Sequence, residues 1–286
     1  MFNLSGSEIA FLLIIALVVL GPEKLPDAVR KFGRFYGEFK RMSSGFQSEL
    51  RSAFDEPIAF GHRGARAHAQ ENTLESFALA MRLGATGLES DVWLTADGVA
   101  VLDHDGRVGR RPRRQPISSV TRAELPEHIP SLADLLEAVG TDIELSLDVK
   151  DLAAAEATVA TAREADPTLV GRLWLCHPDP EVLVGWRARW PDVRLVVSTR
   201  LRHLTDRPER FGADLQRDGI DAVNLHYIEW TGGLVALFHR FGILAFGWDA
   251  QFEHLVASLL DAGLDAVYSD HVDRLVTTAA QYYPPD

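Results

Sequence analysis

Ile58-Ala59-Phe60-Gly61-His62-Arg63-Gly64, the helical stretch Thr73–Leu83, and then Gly87-Leu88-Glu89-Ser90-Asp91-Val92 form the run that decides the fold. Short apolar segments that end in glycine or charged residues read as buried parallel strands, and the apolar spacing between them reads as a crossover helix. Outward from this unit the alternation repeats. Strands are predicted over 58–61, 87–92, 99–103, 143–149, 172–177, 194–198, 222–225, 244–248 and 266–269, and helices over 73–83, 131–139, 153–165, 180–189, 233–241 and 252–262. Repeated βα units across 57–286 point to an α/β fold, and the TIM (β/α)8 barrel is the common solution at that length. Nine strands exceed the eight of a barrel. The Thr95–Gly98 link is too short for a parallel crossover, so either 99–103 turns back beside its predecessor or another strand is misassigned. Arg107–Pro130, rich in Arg and Pro, reads as an inserted loop.

In a barrel the functional side chains gather at the C-terminal ends of strands. Those ends read His62-Arg63-Gly64, Glu89-x-Asp91, His104-Asp105 and Asp148-x-Lys150. Alternation along a strand points Glu89 and Asp91 the same way. Carboxylate oxygens suit one Mg²⁺ or Ca²⁺, and the residues do not choose between them. Such an ion would polarise a phosphoryl oxygen, with Arg63 and Lys150 adding positive charge. His62 and His104 suit a general acid and base pair, because imidazole titrates near neutrality. A divalent-ion phosphodiesterase is therefore expected. Trp248, at another strand end, reads equally as a wall of the substrate site or as core. Asn224 and His226 fall near the rim. Cys176 and His177 are adjacent and so face opposite ways, which argues against a nucleophile pair.

The chain of 286 residues is 47% hydrophobic and 24% charged, an ordinary globular composition that excludes wholesale disorder. Its one cysteine, Cys176, excludes an internal disulfide. The net charge of −12 argues against nucleic acid as a partner. Residues 1–56 hold seven basic and seven acidic side chains, so 57–286 carry all of that negative charge and two units are expected.

The first unit suits a membrane. Ile9 to Leu20 is an unbroken apolar run; as helix it covers about 18 Å, short against a bilayer core of roughly 30 Å unless Leu4–Glu8 is included. No basic residue precedes the run, and Gly21-Pro22 follows, which fits an uncleaved anchor better than a signal peptide. The basic excess between Leu20 and Arg41 orients the N-terminus outside and the rest in the cytoplasm. Leu25, Ala28, Val29, Phe32, Phe35, Tyr36 and Phe39 then form one face of a basic amphipathic helix suited to the inner interface.

Met1-Phe2-Asn3-Leu4, Ser7-Glu8 and Gly21-Pro22-Glu23-Lys24-Leu25-Pro26, with the basic helix, resemble the B-type subunit of the twin-arginine protein translocase. That resemblance implies Glu8 as a polar contact to another translocase subunit. From residue 57 the chain resembles the glycerophosphodiester phosphodiesterase family. The matching residues are His62-Arg63-Gly64-Ala65, Glu71-Asn72-Thr73, Leu88-Glu89-x-Asp91-Val92, Thr95-x-Asp97-Gly98, His104-Asp105, Asp148-Val149-Lys150, Trp248 and Ser269-Asp270. This second resemblance implies hydrolysis of glycerophosphodiesters to glycerol 3-phosphate and an alcohol. It also implies a divalent ion on Glu89, Asp91 and Asp148, His62 and His104 as the acid/base pair, Arg63 and Lys150 near phosphate, and Glu71 and Asn72 beside the site. Asp148 stands where glutamate is commoner, and Gln70 where proline is usual.

Together these give an inner-membrane enzyme with its barrel (57–286) in the cytoplasm, acting on glycerophosphodiesters, with lysophospholipids of the membrane as a further expected substrate. The rival expectation is a translocase subunit that binds other translocase subunits and carries an accessory or inactive barrel.

Overall fold

A computed structural model describes residues 56–109, 113–204 and 206–283. Of the anchor and amphipathic helix expected in 1–56, residues 1–55, with Glu8, lie outside the described residues, as do Arg110-Arg111-Pro112 of the Arg107–Pro130 stretch. No helix among the described residues is long and apolar enough to cross a membrane.

In chain order the elements are β1 (Ile58–His62), α1 (Leu74–Arg82), β2 (Gly87–Leu94), β3 (Ala100–Leu102), β4 (Arg107–Val108), β5 (Gln115–Pro116), α2 (Leu132–Val139), β6 (Glu144–Val149), α3 (Ala154–Ala165) and β7 (Leu173–His177). They continue with α4 (Pro180–Arg189), β8 (Arg194–Ser198), α5 (Pro208–Arg217), β9 (Ala222–His226), α6 (Gly232–His239), β10 (Leu244–Trp248), α7 (Glu253–Ala262), β11 (Ala266–Ser269) and α8 (Val272–Tyr282). β1, β2 and β6 to β11 pair in parallel around a closed barrel of eight strands, sealed where β1 meets β11 on one side and β2 on the other.

The ninth strand is accounted for by β2, which is eight residues long. It pairs in parallel with β1 through Gly87–Glu89 and with β6 through Gly87–Val92, and its last three residues, Val92 to Leu94, pair antiparallel with β3. The turn between them is closed by Val99 N–H donating to Thr95 Oγ1 (2.9 Å). Thus 99–103 does turn back.

The 107–130 excursion departs from the expected plain loop. It contains the β4–β5 ribbon and two short 3₁₀ turns, and it has a small core of its own in Val101, Ile117, Val120, Leu125 and Ile129. Five scattered apolar residues give no period, so periodicity could not reveal that core. The helices α5 and α8 also lie outside the predicted set. α5 begins with Pro208 at its first turn, and Phe211 and Leu215 are its only large apolar side chains, one turn apart in an otherwise mostly polar segment.

Strand alternation sorts the side chains into two layers. Leu88, Leu145, Leu147, Leu175, Val197 and Val267 face the helices, while Phe60, Trp174, Val196, Phe246 and Tyr268 fill the barrel. Phe60 and Tyr268 stack with centroids 4.6 Å apart. The upper interior is polar instead, since the same alternation turns Glu89, Asp91, Ser146 and Asp148 inward.

Gly64 sets the exit from β1. Its φ is +83°, and a Cβ there would lie 2.4 Å from Ser76 Oγ and 2.6 Å from the Ser76 carbonyl carbon. Gly64→Ala should therefore cost at least about 2 kcal/mol, from the wrong hand of φ and the clash with the α1 backbone together. The urea midpoint measures it, and an unchanged midpoint would contradict the closeness of α1 to this turn.

Candidate active site

At the C-terminal end of the barrel lies a cavity of about 340 Å³ whose wall includes His62, Arg63, Glu89, Asp91, Asp148, Lys150 and Trp248. Strand register assembles it. His62 on β1 is opposite Glu89 on β2, Asp91 is opposite Asp148 on β6, and Asp148 is opposite Cys176 on β7. One oxygen each of Glu89, Asp91 and Asp148 lies within 4.8 Å of the other two.

Three carboxylates so close cannot share a buried pocket without cost. Burial, with the negative charges of Asp91 and Asp148 beside it, pushes Glu89 up to about 7. Asp91 is also raised, chiefly by burial, although Lys150 opposes it. The Lys150 ammonium bridges Asp148 (2.8 Å) and Asp91 (3.1 Å). Arg63 Nε is 3.2 Å from Asp91 Oδ2, but the angle makes no hydrogen bond and both atoms are left without one. An all-oxygen acidic set with a buried orphan oxygen and a carboxyl displaced toward neutrality fits a hard divalent cation.

His62 Nδ1 lies 2.5 Å from Asp270 Oδ1, and its Nε2 is 3.7 Å from Glu89 Oε2. Burial works against a charged imidazole here, but Glu89 and then the Asp270 hydrogen bond outweigh it, so the His62 pKa is raised. Asp270 in turn is held below its ordinary value despite partial burial, because it accepts from His62. With Nδ1–H committed to Asp270, Nε2 is the atom free to exchange a proton.

The loop after β1 holds its residues in unusual backbone. Arg63 (φ 52°) and Asn72 (φ 54°) are left-handed without being glycine, a conformation that persists where the surroundings enforce it. Arg63 N–H donates to Glu89 Oε2 (3.0 Å), and its guanidinium donates to Glu71 Oε2 (3.1 Å). Buried Asn72 accepts from Ser90 Oγ (2.7 Å), while its amide nitrogen has no partner.

His104 is not in the wall of the cavity that holds His62. It lines a second cavity of about 150 Å³ with Glu71, Asn72, Asp103, Asp105 and His128, and its Nδ1 is 3.1 Å from Asp105. Arg63 of the first cavity and Glu71 of the second are joined by an ion pair. His104 follows β3, which is not a barrel strand, so the rule about strand ends does not govern it.

Asn224 does line the main cavity, with its Oδ1 buried and unpaired. His226 instead packs edge-on to Trp248, with centroids 4.5 Å apart. Trp248 faces the cavity, and the Arg200 guanidinium lies 5.2 Å from its ring centre. Cys176 is buried at the cavity floor, where burial raises its thiol, while His177 turns outward onto Trp186. Asp270, Tyr268, Ser146 and Arg200 were not singled out from sequence as site residues. The strand-end rule would have found Asp270 directly after β11; Tyr268 and Ser146 look like ordinary strand interior, and Arg200 like loop.

Residues 62–274 match the Glycerophosphoryl diester phosphodiesterase family, and residues 2–49 match the mttA/Hcf106 family. The chain is 29% identical over 249 residues to a probable glycerophosphodiester phosphodiesterase 2 of Mycobacterium tuberculosis, covering 76% of this chain and 89% of that protein. Its N-terminal part is 46% identical over 55 residues to the Sec-independent protein translocase protein TatB of Psychrobacter arcticus, covering 19% of this chain and 24% of that protein. A solved structure of a putative glycerophosphoryl diester phosphodiesterase from Silicibacter pomeroyi shares the fold with a TM-score of 0.70 at 22% identity, over 80% of this chain and 95% of that one.

Proposed function

The chain belongs to the glycerophosphoryl diester phosphodiesterase family, and from that premise we propose that it hydrolyses glycerophosphodiesters to glycerol 3-phosphate and an alcohol in the acidic cavity described above. The observation that carries the proposal is the convergence of Glu89, Asp91 and Asp148 beside His62 and Arg63 in one pocket. Water adds to phosphorus, the bond from phosphorus to the alcohol oxygen breaks, and that oxygen takes up a proton. A divalent ion, Mg²⁺ or Ca²⁺, held by Glu89, Asp91 and Asp148 would supply charge stabilisation at a phosphoryl oxygen.

The side chains divide the remaining work. Arg63 and Lys150 lie where they can hold the nonbridging phosphate oxygens, exchanging part of their carboxylate contacts for phosphate. His62, kept protonated by Asp270, is the donor to the leaving oxygen. His104, in the neighbouring cavity, is the other member of the acid/base pair and the base for the attacking water. Glu71 and Asn72 support the site, and Trp248 packs against the glycerol part. Asp148, one methylene shorter than glutamate, weakens the hold on the ion.

We place the barrel (57–286) in the cytoplasm, tethered to the inner membrane by residues 1–56 with the N-terminus outside, and lysophospholipids of that membrane among its substrates. The match of residues 2–49 also favours a second reading: a translocase subunit that binds other translocase subunits, through Glu8, and carries an accessory or inactive barrel. Complementation of a strain lacking its TatB-like subunit, by the full chain or by residues 1–56, separates the two.

The decisive measurement is glycerol 3-phosphate release from a panel of glycerophosphodiesters by the full chain, with Mg²⁺, with Ca²⁺ and with chelator. Turnover that requires the ion is expected. Lack of turnover with either ion in folded protein would sink the hydrolase reading and leave the partner-binding role of residues 1–56. A preference for glycerophosphocholine that ignores lysolipid micelles would remove the lysophospholipid substrate alone.

A further inference from the structure

Outside the acidic cavity, His68, His271 and Asp273 form a second group of ligand-type side chains, with one ring nitrogen or carboxylate oxygen of each within 4.8 Å of the others. His68 belongs to the loop between β1 and α1. His271 caps α8, and Asp273 is in the first turn of that helix.

The backbone that carries them is already fixed. Ala67 N–H donates to Asp270 O (3.1 Å), His68 N–H to Ala65 O (2.8 Å), and His271 N–H to Ser269 Oγ (3.1 Å). His68 Nε2 is 2.9 Å from Asp273 Oδ1, and the two imidazoles meet edge to face with centroids 5.8 Å apart. His271 Nδ1 is buried and has no hydrogen-bond partner.

An ordinary ion pair explains part of this. A His68–Asp273 pair at the surface would be worth little, and it does nothing for the unmet nitrogen of His271. A coordinated ion would take one ring nitrogen from each imidazole and one oxygen from the carboxylate, the three atoms already within 4.8 Å of one another. Two nitrogens and one oxygen select a borderline transition metal over Mg²⁺ or Ca²⁺, and three protein ligands leave a position for water.

We propose that His68, His271 and Asp273 bind a zinc-class ion, distinct from the hard ion of the catalytic cavity, which clips the loop between β1 and α1 to the start of α8. The loop carries Arg63, and the residue before His271 is Asp270, the partner of His62. The clip therefore ties together the two segments that flank the catalytic histidine.

The full chain, kept in several millimolar Mg²⁺ to occupy the oxygen site, is titrated with Zn²⁺ by calorimetry and by thermal melting. One equivalent bound in the low micromolar range or tighter, with a rise in Tm of several degrees, is expected. His68→Ala should weaken binding by about tenfold or more and abolish the Tm rise, as should His271→Ala. Glu89→Gln should retain both. If His271→Ala does not fold, His68→Ala, on an exposed loop, decides alone. Equal zinc affinity in wild type and His68→Ala would overturn the assignment, as would no uptake below about 100 μM. Because the readout is binding and melting, it is independent of whether the barrel hydrolyses anything.

Discussion

Replacing His62 by alanine in the full chain is expected to lower kcat on glycerophosphodiesters by about a hundredfold to ten-thousandfold, with the far-UV spectrum unchanged and KM little altered. The size follows from the proposed role. His62 is half-buried at the cavity wall, between Glu89 and Asp270. Loss of its ring therefore removes proton transfer to the leaving oxygen more than it removes packing. Asp270→Asn separates that role from simple bulk. It keeps a side chain of the same shape but takes away the negative charge that helps hold the His62 pKa up. An acid must be protonated to act, so activity falls as pH rises through the His62 pKa. With a cation bound, the charge of Glu89 is largely neutralised and Asp270 is the main support left. The alkaline limb of kcat should therefore move to lower pH in Asp270→Asn. A limb that stays put, or moves upward, would mean that His62 is not the acid.

The site was legible where strand geometry alone places a residue, and obscure where it does not. Glu89 and Asp91 share a face because residues two apart on one strand must, and the sequence states that outright. That Asp148 would join them depends on which strand lies beside β2 and in what register, which the order of βα units implies for a barrel. His104 shows the converse. Its sequence position is that of a fourth strand-end residue, yet β3 is an antiparallel appendage on the far half of β2, and His104 lines a neighbouring cavity. Asp270 shows a third case, because the rule that found Glu89 applied to it and its position after β11 was in plain view. Its contact to His62 spans 208 residues of chain, which no local pattern announces. The core beneath 107–130 was hidden for a similar reason, since its five apolar residues meet only after the segment folds back on β3.

Glu89→Gln should make the metal-free protein more stable above neutral pH while destroying ion-dependent activity, a pairing that few substitutions produce. In the folded chain without a cation, burial and the neighbouring carboxylates push Glu89 up to about 7 from an ordinary 4.5. A group whose pKa is raised by folding binds protons more tightly in the folded state. Stability is therefore highest below the unfolded value, falls as pH climbs through the interval from 4.5 to about 7, and stays reduced above it. That displacement is worth roughly 3 kcal/mol at most. Glutamine resembles the protonated carboxyl and cannot ionise. In chelator, the two proteins should then melt alike below the ordinary glutamate pKa and diverge as pH rises, until the variant melts several degrees higher at alkaline pH. Addition of Mg²⁺ should reverse the order, because an ion bound by ionised Glu89, Asp91 and Asp148 stabilises the wild type and finds one charge fewer in the variant. Parallel melting curves in chelator across the whole pH range would show that Glu89 is not displaced. Equal stabilisation of both proteins by Mg²⁺ would show that the ion sits elsewhere. The two results fail separately, so the electrostatic burden on Glu89 and its role as a ligand are tested as different properties of one side chain. What joins them is that a cluster of buried carboxylates is unfavourable in the empty protein for the same reason that it is favourable around a cation.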